Sequence, residues 1–167
     1  MSIAQSLLPE FDHEMATTRS LLERVPEGKA SWQPHKKSMT MGRLAMHLAD
    51  LPKWTVLTLT TTELDINPPG GPGFAPTPFE STRALLAEFD ANVKAARSAI
   101  VGASDAELFV PWSLKDGGHV TLTMPRAAVL RSFVLNHLVH HRGQLSVYLR
   151  LNDVPLPMMY GPTADTK

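Results

Sequence analysis

From Ser2 to Val25 the apolar residues Ile3, Leu7, Leu8, Phe11, Met15, Leu21, Leu22 and Val25 recur at steps of three and four. At 3.6 residues per turn this spacing gathers them on one face and predicts an amphipathic helix, ended by Pro26 and Gly28. The loop from Lys29 to Ser38 carries Trp32 and Pro34, and Trp32 is expected to act as a lid over one end of the core. Thr40, whose hydroxyl can accept an N–H of the first turn, caps a second predicted helix. There Leu44, His47, Leu48 and Leu51 form an i, i+3, i+4, i+7 stripe, which places His47 on the inward face. Pro52 lacks a backbone donor and is expected to kink this helix near Leu48. Trp54 to Leu64 is rich in threonine but keeps the helical step through Trp54, Leu57 and Thr61, and reads as helix.

Asn67 to Pro78 is dense in proline and glycine, which predicts a long surface connection. Its Gly71-Pro72-Gly73 lacks a preceding strand and is not a dinucleotide fingerprint. Thr77-Pro78-Phe79-Glu80 reads as a capping box opening a third helix, with Leu85, Leu86, Phe89, Val93, Ala96 and Ile100 inward and Gly102 as its stop. Leu108, Val110, Trp112 and Leu114 then alternate, as do Val120, Leu122 and Met124, around Asp116-Gly117-Gly118, the pattern of a β-hairpin. Pro125 opens a last helix to about Asn152, with Leu130, Phe133, Val134, His137, His141, Leu145 and Tyr148 on one stripe, and the tail from Pro155 is loop-like. The expected fold is therefore all-α: a four-helix bundle with a long crossover and a small β-hairpin between helices 3 and 4.

Composition narrows the function. A chain of 167 residues is expected to form one domain over 1–167, and 43% apolar against 19% charged residues suits a folded globular protein. There is no cysteine, which excludes thiolate metal sites, disulfides and cysteine nucleophiles, so any thiol chemistry needs an external thiol. Lys+Arg and Asp+Glu both number 16, without a basic tract suited to nucleic acid. The start, Met1-Ser2-Ile3-Ala4-Gln5, lacks signal-peptide character and no apolar stretch is long enough to span a bilayer, so a cytoplasmic location without a membrane partner is expected.

The candidate chemistry lies in Asn136-His137-Leu138-Val139-His140-His141-Arg142-Gly143-Gln144. On a helix His137 and His141 project from one face about a turn apart, the reach needed to hold one ion between two neutral imidazoles. His47 sits on a separate inward stripe, and three buried imidazoles each need a partner, which one shared divalent ion supplies. His140 points about 100° away from His141 and is expected on a flank. His13, His35 and His119 fall on polar or loop positions and read as solvated residues, while Glu14 lies near the Phe11/Met15/Thr18 face and is a weaker neighbour of the site.

Thr40-Met41-Gly42-Arg43-Leu44-Ala45-Met46-His47-Leu48, followed by Asn136-His137 and His141-Arg142-Gly143-Gln144-Leu145, resembles the DinB/YfiT superfamily of metal-dependent enzymes. The similarity spans almost the whole chain, including Trp32-Gln33-Pro34 and the hairpin. The resemblance implies a helical bundle that binds a divalent metal, often zinc or nickel, through His47, His137 and His141. Some relatives are thiol-dependent transferases or isomerases using a low-molecular-weight thiol as cosubstrate.

Three protein ligands leave an open coordination position, which suits catalysis more than structure: a bound water would have a lowered pKa and a bound thiol would be held as thiolate. The glutamate of H-E-x-x-H metalloproteases is missing, which disfavours that peptidase mechanism. Asp50, Asn136 and Gln144 are candidates to fix imidazole tautomers, and Arg142 either binds an anionic substrate group or forms a salt bridge. Three functions follow: a metal-dependent thiol transferase or isomerase on a small molecule, a metal-dependent small-molecule hydrolase, or a non-catalytic binding module. Bundles of this kind often dimerise, so a homodimer is a further expectation.

Overall fold

A computed structural model of the chain describes residues 2–166. The first helix, α1 (Ile3–Leu22), forms where its spacing predicts, and Ser2 closes a capping box with Gln5 at its start. Leu7, Phe11, Met15, Leu21 and Leu22 are buried along it. A short 3₁₀ turn, Glu27–Lys29, leads toward α2 (Met41–Asp50), which Thr40 caps by accepting the Arg43 N–H at 3.3 Å. Trp32 packs edge-on against Tyr148, with ring centroids 5.5 Å apart, and so covers one end of the core.

The expected kink near Leu48 is a full break four residues later. Leu51 N–H still reaches His47 O at 3.1 Å, but Pro52 has no donor to extend the ladder. Trp54 N–H turns back to Leu51 O at 3.1 Å, and the chain restarts as α3 (Lys53–Thr60). Helix was expected as far as Leu64, but Leu64 lies instead in a strand, β1 (Glu63–Asp65). β1 pairs in parallel with β2 (Pro111–Asp116), which pairs antiparallel with β3 (His119–Pro125), in the order β1-β2-β3. The predicted hairpin is thus two strands of a three-stranded sheet. Gly117 and Gly118 make its turn with φ of 61° and 83°, a left-handed geometry that glycine adopts without steric cost.

The next helix, α4 (Thr82–Gly102), starts later than its sequence cue. Ser81 is the cap, accepting the Ala84 N–H at 3.1 Å, and the Thr77 hydroxyl bonds Asp50 instead. A short helix, α5 (Asp105–Leu108), precedes the sheet and takes up Leu108, which the alternation had assigned to the hairpin. After β3 the chain is helical from Arg126 to Arg150, in three parts: α6 (Arg126–Val129), a π-helical stretch (Leu130–Asn136) and α7 (His137–Arg150).

The protein is mostly helical with one small sheet. Helix α1 packs on α4 and α7, α2 packs on the same two, and α3 packs on α4 and the π stretch. The main core fills the space between them, with Leu44, Leu48, Leu85, Phe89, Leu138 and Leu145 all buried. A smaller core of Trp112, Leu114 and Val129 seats the sheet, and Trp54 and Phe133 touch it from the helical side. Sheet, α3 and π stretch therefore meet beside the outer end of α2. No helix among the described residues is long and apolar enough to cross a membrane.

Candidate metal centre

Because α2 packs directly on α7, the one inward histidine of α2 meets the i, i+4 pair of α7. His47 Nε2 lies 3.3 Å from His137 Nε2, although 90 residues separate them, and His137 Nε2 lies 2.8 Å from His141 Nε2. The ring centroids of His47 and His141 are 4.5 Å apart. The ligand-type nitrogens of all three fall within 4.8 Å of one another, an arrangement that can hold a metal ion. His141 is buried and the other two are half-buried.

The electrostatics keep these rings neutral. Burial, reinforced by the neighbouring His141 and His137, pushes His47 down to about 4 against the ordinary 6.5. Burial and then the proximity of His141 push His137 down to about 4, opposed by a hydrogen bond to the Phe133 backbone. Burial also lowers His141, opposed by its bond to Gln144. A neutral imidazole is the form that ligates metal.

The hydrogen bonds also orient the lone pairs. His141 Nδ1 donates to Gln144 Oε1 at 2.7 Å, which leaves the lone pair on Nε2. His137 spends its ring N–H on the Phe133 backbone, and its Nε2 faces the cluster. Two acceptor nitrogens then confront each other at 2.8 Å with no proton between them. A cation relieves that opposition, and tetrahedral ligands at ~2.0–2.1 Å from one ion stand roughly 3.3 Å apart, close to the His47–His137 spacing. The donor set therefore fits a divalent metal on its own chemistry.

The remaining sequence candidates divide. Gln144 holds His141 as expected of an orienting residue. Asp50 does not bond His47; it is buried and its Oδ1 accepts from Lys53 Nζ at 2.8 Å and Thr77 Oγ1 at 3.2 Å. Asn136 is exposed and makes no side-chain bond among the described residues. Arg142 is buried away from the cluster, its guanidinium 2.6 Å from Glu14 Oε2 and also on Thr18 Oγ1 at 3.2 Å, so it forms the salt bridge rather than a substrate contact. Glu14 is consumed by that pair and by Tyr160, whose hydroxyl donates to it at 2.9 Å. His13, His35, His119 and His140 are exposed.

A cavity of about 260 Å³ opens beside His47, lined also by Arg43, Asp50, Trp54, Phe74 and Pro76. Arg43, Trp54 and Phe74 were not singled out for it from the sequence. Arg43 and Asp50 were within reach, since they lie one helical turn before and after His47 on the same stripe. Phe74 comes from the proline- and glycine-rich loop, where no periodicity signals its direction.

Helices converging three neutral imidazoles beside a small cavity define a class: proteins with a histidine-only candidate metal centre. The family model described as DinB family matches residues 1–166, and this chain belongs to the DinB family. It is similar in fold to a DinB-like protein of Bacillus cereus ATCC 10987, with TM-score 0.71 and 23% identity over 93% of this chain and 97% of that one. It is likewise similar to a DinB-like protein of Bacillus subtilis, with TM-score 0.67 and 16% identity over 97% and 99% of the two chains. No curated protein matches the sequence.

Proposed function

We propose that this protein is a divalent-metal-dependent enzyme, a thiol-dependent S-transferase or isomerase acting on a small molecule, with His47, His137 and His141 as the metal ligands. The observation that carries this reading is the opposition of imidazole nitrogens at 2.8 and 3.3 Å, with Gln144 and Phe133 turning lone pairs inward. Zinc or nickel bound there supplies Lewis-acid activation at an open coordination position. The absence of cysteine assigns the thiol to a low-molecular-weight cosubstrate.

The protein's own residues have separable tasks. His47 is carried on a helix independent of the other two, so α2 packing on α7 sets the width of the site. Gln144 and Phe133 hold their imidazoles in one tautomer. Asp50, pinned through Oδ1, leaves Oδ2 for the cavity, where a carboxylate can accept a proton from substrate. That placement favours a small-molecule hydrolase as the second reading, since an attacking water needs such an acceptor. We further read the chain as one cytoplasmic domain, its long helices forming a four-helix bundle that pairs as a homodimer. The DinB match across residues 1–166 supports the single domain.

Elemental analysis of untagged protein tests the core of the proposal, with about one divalent ion per chain expected and a large loss in His47→Ala, His137→Ala and His141→Ala. Full occupancy in all three variants would overturn it. Turnover of electrophiles by the loaded protein with and without added thiols separates the transferase from the hydrolase.

A further inference from the structure

The cavity beside His47 is electrically asymmetric. Arg19, Arg97, Arg131, Arg142 and Arg150 each close on a carboxylate. Arg43 closes on none among the described residues, yet it lines this cavity and an adjoining one. It sits four residues before His47, so its guanidinium shares the stripe that carries the imidazole. Asp50 stands at the other end of that stripe, nine-tenths buried and fixed by Lys53 and Thr77, with Oδ2 left for the cavity. Between these charges the wall is apolar: Trp54 and Phe74 face each other with ring centroids 5.9 Å apart. Phe74 is held there by its N–H on Ile66 O at 2.7 Å.

We infer that this cavity takes a small aryl or alkyl carboxylate, its anionic end on Arg43, its apolar body against Trp54 and Phe74, and its proton-bearing or reacting end beside His47 and Asp50. This inference rests on the reading of the site as one that turns over a small molecule, and it deepens it by naming the substrate class. Only one cation, Arg43, lines the cavity apart from the histidine, which suits a singly charged carboxylate rather than a phosphate dianion. The Asp50 carboxylate repels an anion at its own end and so sets the direction of binding. Seven residues of helix separate Arg43 from Asp50, roughly 10 Å, which is the length of a phenyl ring with a short acid side chain.

The test uses 3-phenylpropanoate and its neutral counterpart 3-phenylpropanamide in calorimetric titrations of the parent protein, Arg43→Gln and Arg43→Lys. Each is titrated with and without bound metal, and the metal content of every sample is measured. The carboxylate is expected to bind about tenfold or more tightly than the amide, as a charge-assisted hydrogen bond predicts. Arg43→Gln should erase that preference and Arg43→Lys retain part of it, in both metal states and with unchanged thermal stability. Equal binding of the two probes, no binding of either, or a preference that survives Arg43→Gln would overturn the inference. So would a preference seen only with metal bound, which would put the carboxylate on the ion. Failure of the probes with metal retained leaves the metalloenzyme reading standing, whereas loss of metal in the parent protein with the preference intact overturns that reading alone.

Discussion

His141 Nδ1 lies 2.7 Å from Gln144 Oε1, and this single bond decides which imidazole nitrogen faces His137. Removing an orienting partner of a ligating histidine typically costs 10–100-fold in metal affinity. Gln144→Ala should therefore weaken the ion by about that range, with Gln144→Glu preserving it because its carboxylate still accepts. A competition titration against a chromophoric chelator measures this, and parent-like affinity in Gln144→Ala would remove Gln144 from the site.

The pH dependence of the metal-free protein follows from His47 and His137, both pushed down to about 4 from 6.5 by burial. Between those values the unfolded chain binds protons that the folded one refuses, so stability rises with pH across the window. The contribution is complete above about 6.5 and is lost as pH falls toward 4. Melting temperatures across that range should drop less steeply for a His47→Gln, His137→Gln double variant than for the parent. For the same reason, metal loading at pH 7 should release almost no proton from these two rings, which titrations in buffers of different ionisation enthalpy can read.

The Arg142–Glu14 pair is a second internal charge system, and it joins α7 to α1 and to the C-terminal tail. The two side chains are only 2% and 9% exposed. Arg142 donates to Glu14 O at 3.1 Å, and Tyr160 closes the group from the tail. Arg142→Met should destabilise the fold by about 3–5 kcal/mol, because Glu14 is left buried and uncompensated. Arg142→Met with Glu14→Gln should recover part of that loss in denaturant titrations.

Asp65 ties the start of the sheet to its turn. Its carboxylate accepts from Asn67 N at 3.0 Å, Gly117 N at 3.1 Å and Gly118 N at 2.7 Å. Asp65→Ala should cost roughly 1–3 kcal/mol through charge-assisted bonds lost. Limited proteolysis should then cut the loop from 66 to 76 faster than in the parent, since that loop begins at the residue Asp65 anchors.

Much of this was legible because periodicity reports burial. The stripe Leu44, His47, Leu48, Leu51 and the i, i+4 pair on α7 put all three imidazoles inward, and both faces do meet. The errors have local causes. β1 has three residues, too few to show alternation, and exists because β2 pairs with it. The Thr77 cap failed because Asp50, 27 residues earlier, competes for its hydroxyl. Phe74 lies in a loop whose path is set by contacts with Ile66 and Trp54, which no repeat in the sequence encodes.

The π-helical stretch from Leu130 to Asn136 ends one residue before His137. A π turn holds about one residue more than an α turn, so the helix beyond it is rotated relative to an uninterrupted α-helix. Deleting one residue there would return the segment to α-helical winding and swing His137 and His141 by about 100° relative to everything before them. The aim of this histidine pair is thus stored as a phase within a helix interior, in a surplus residue that touches no ligand.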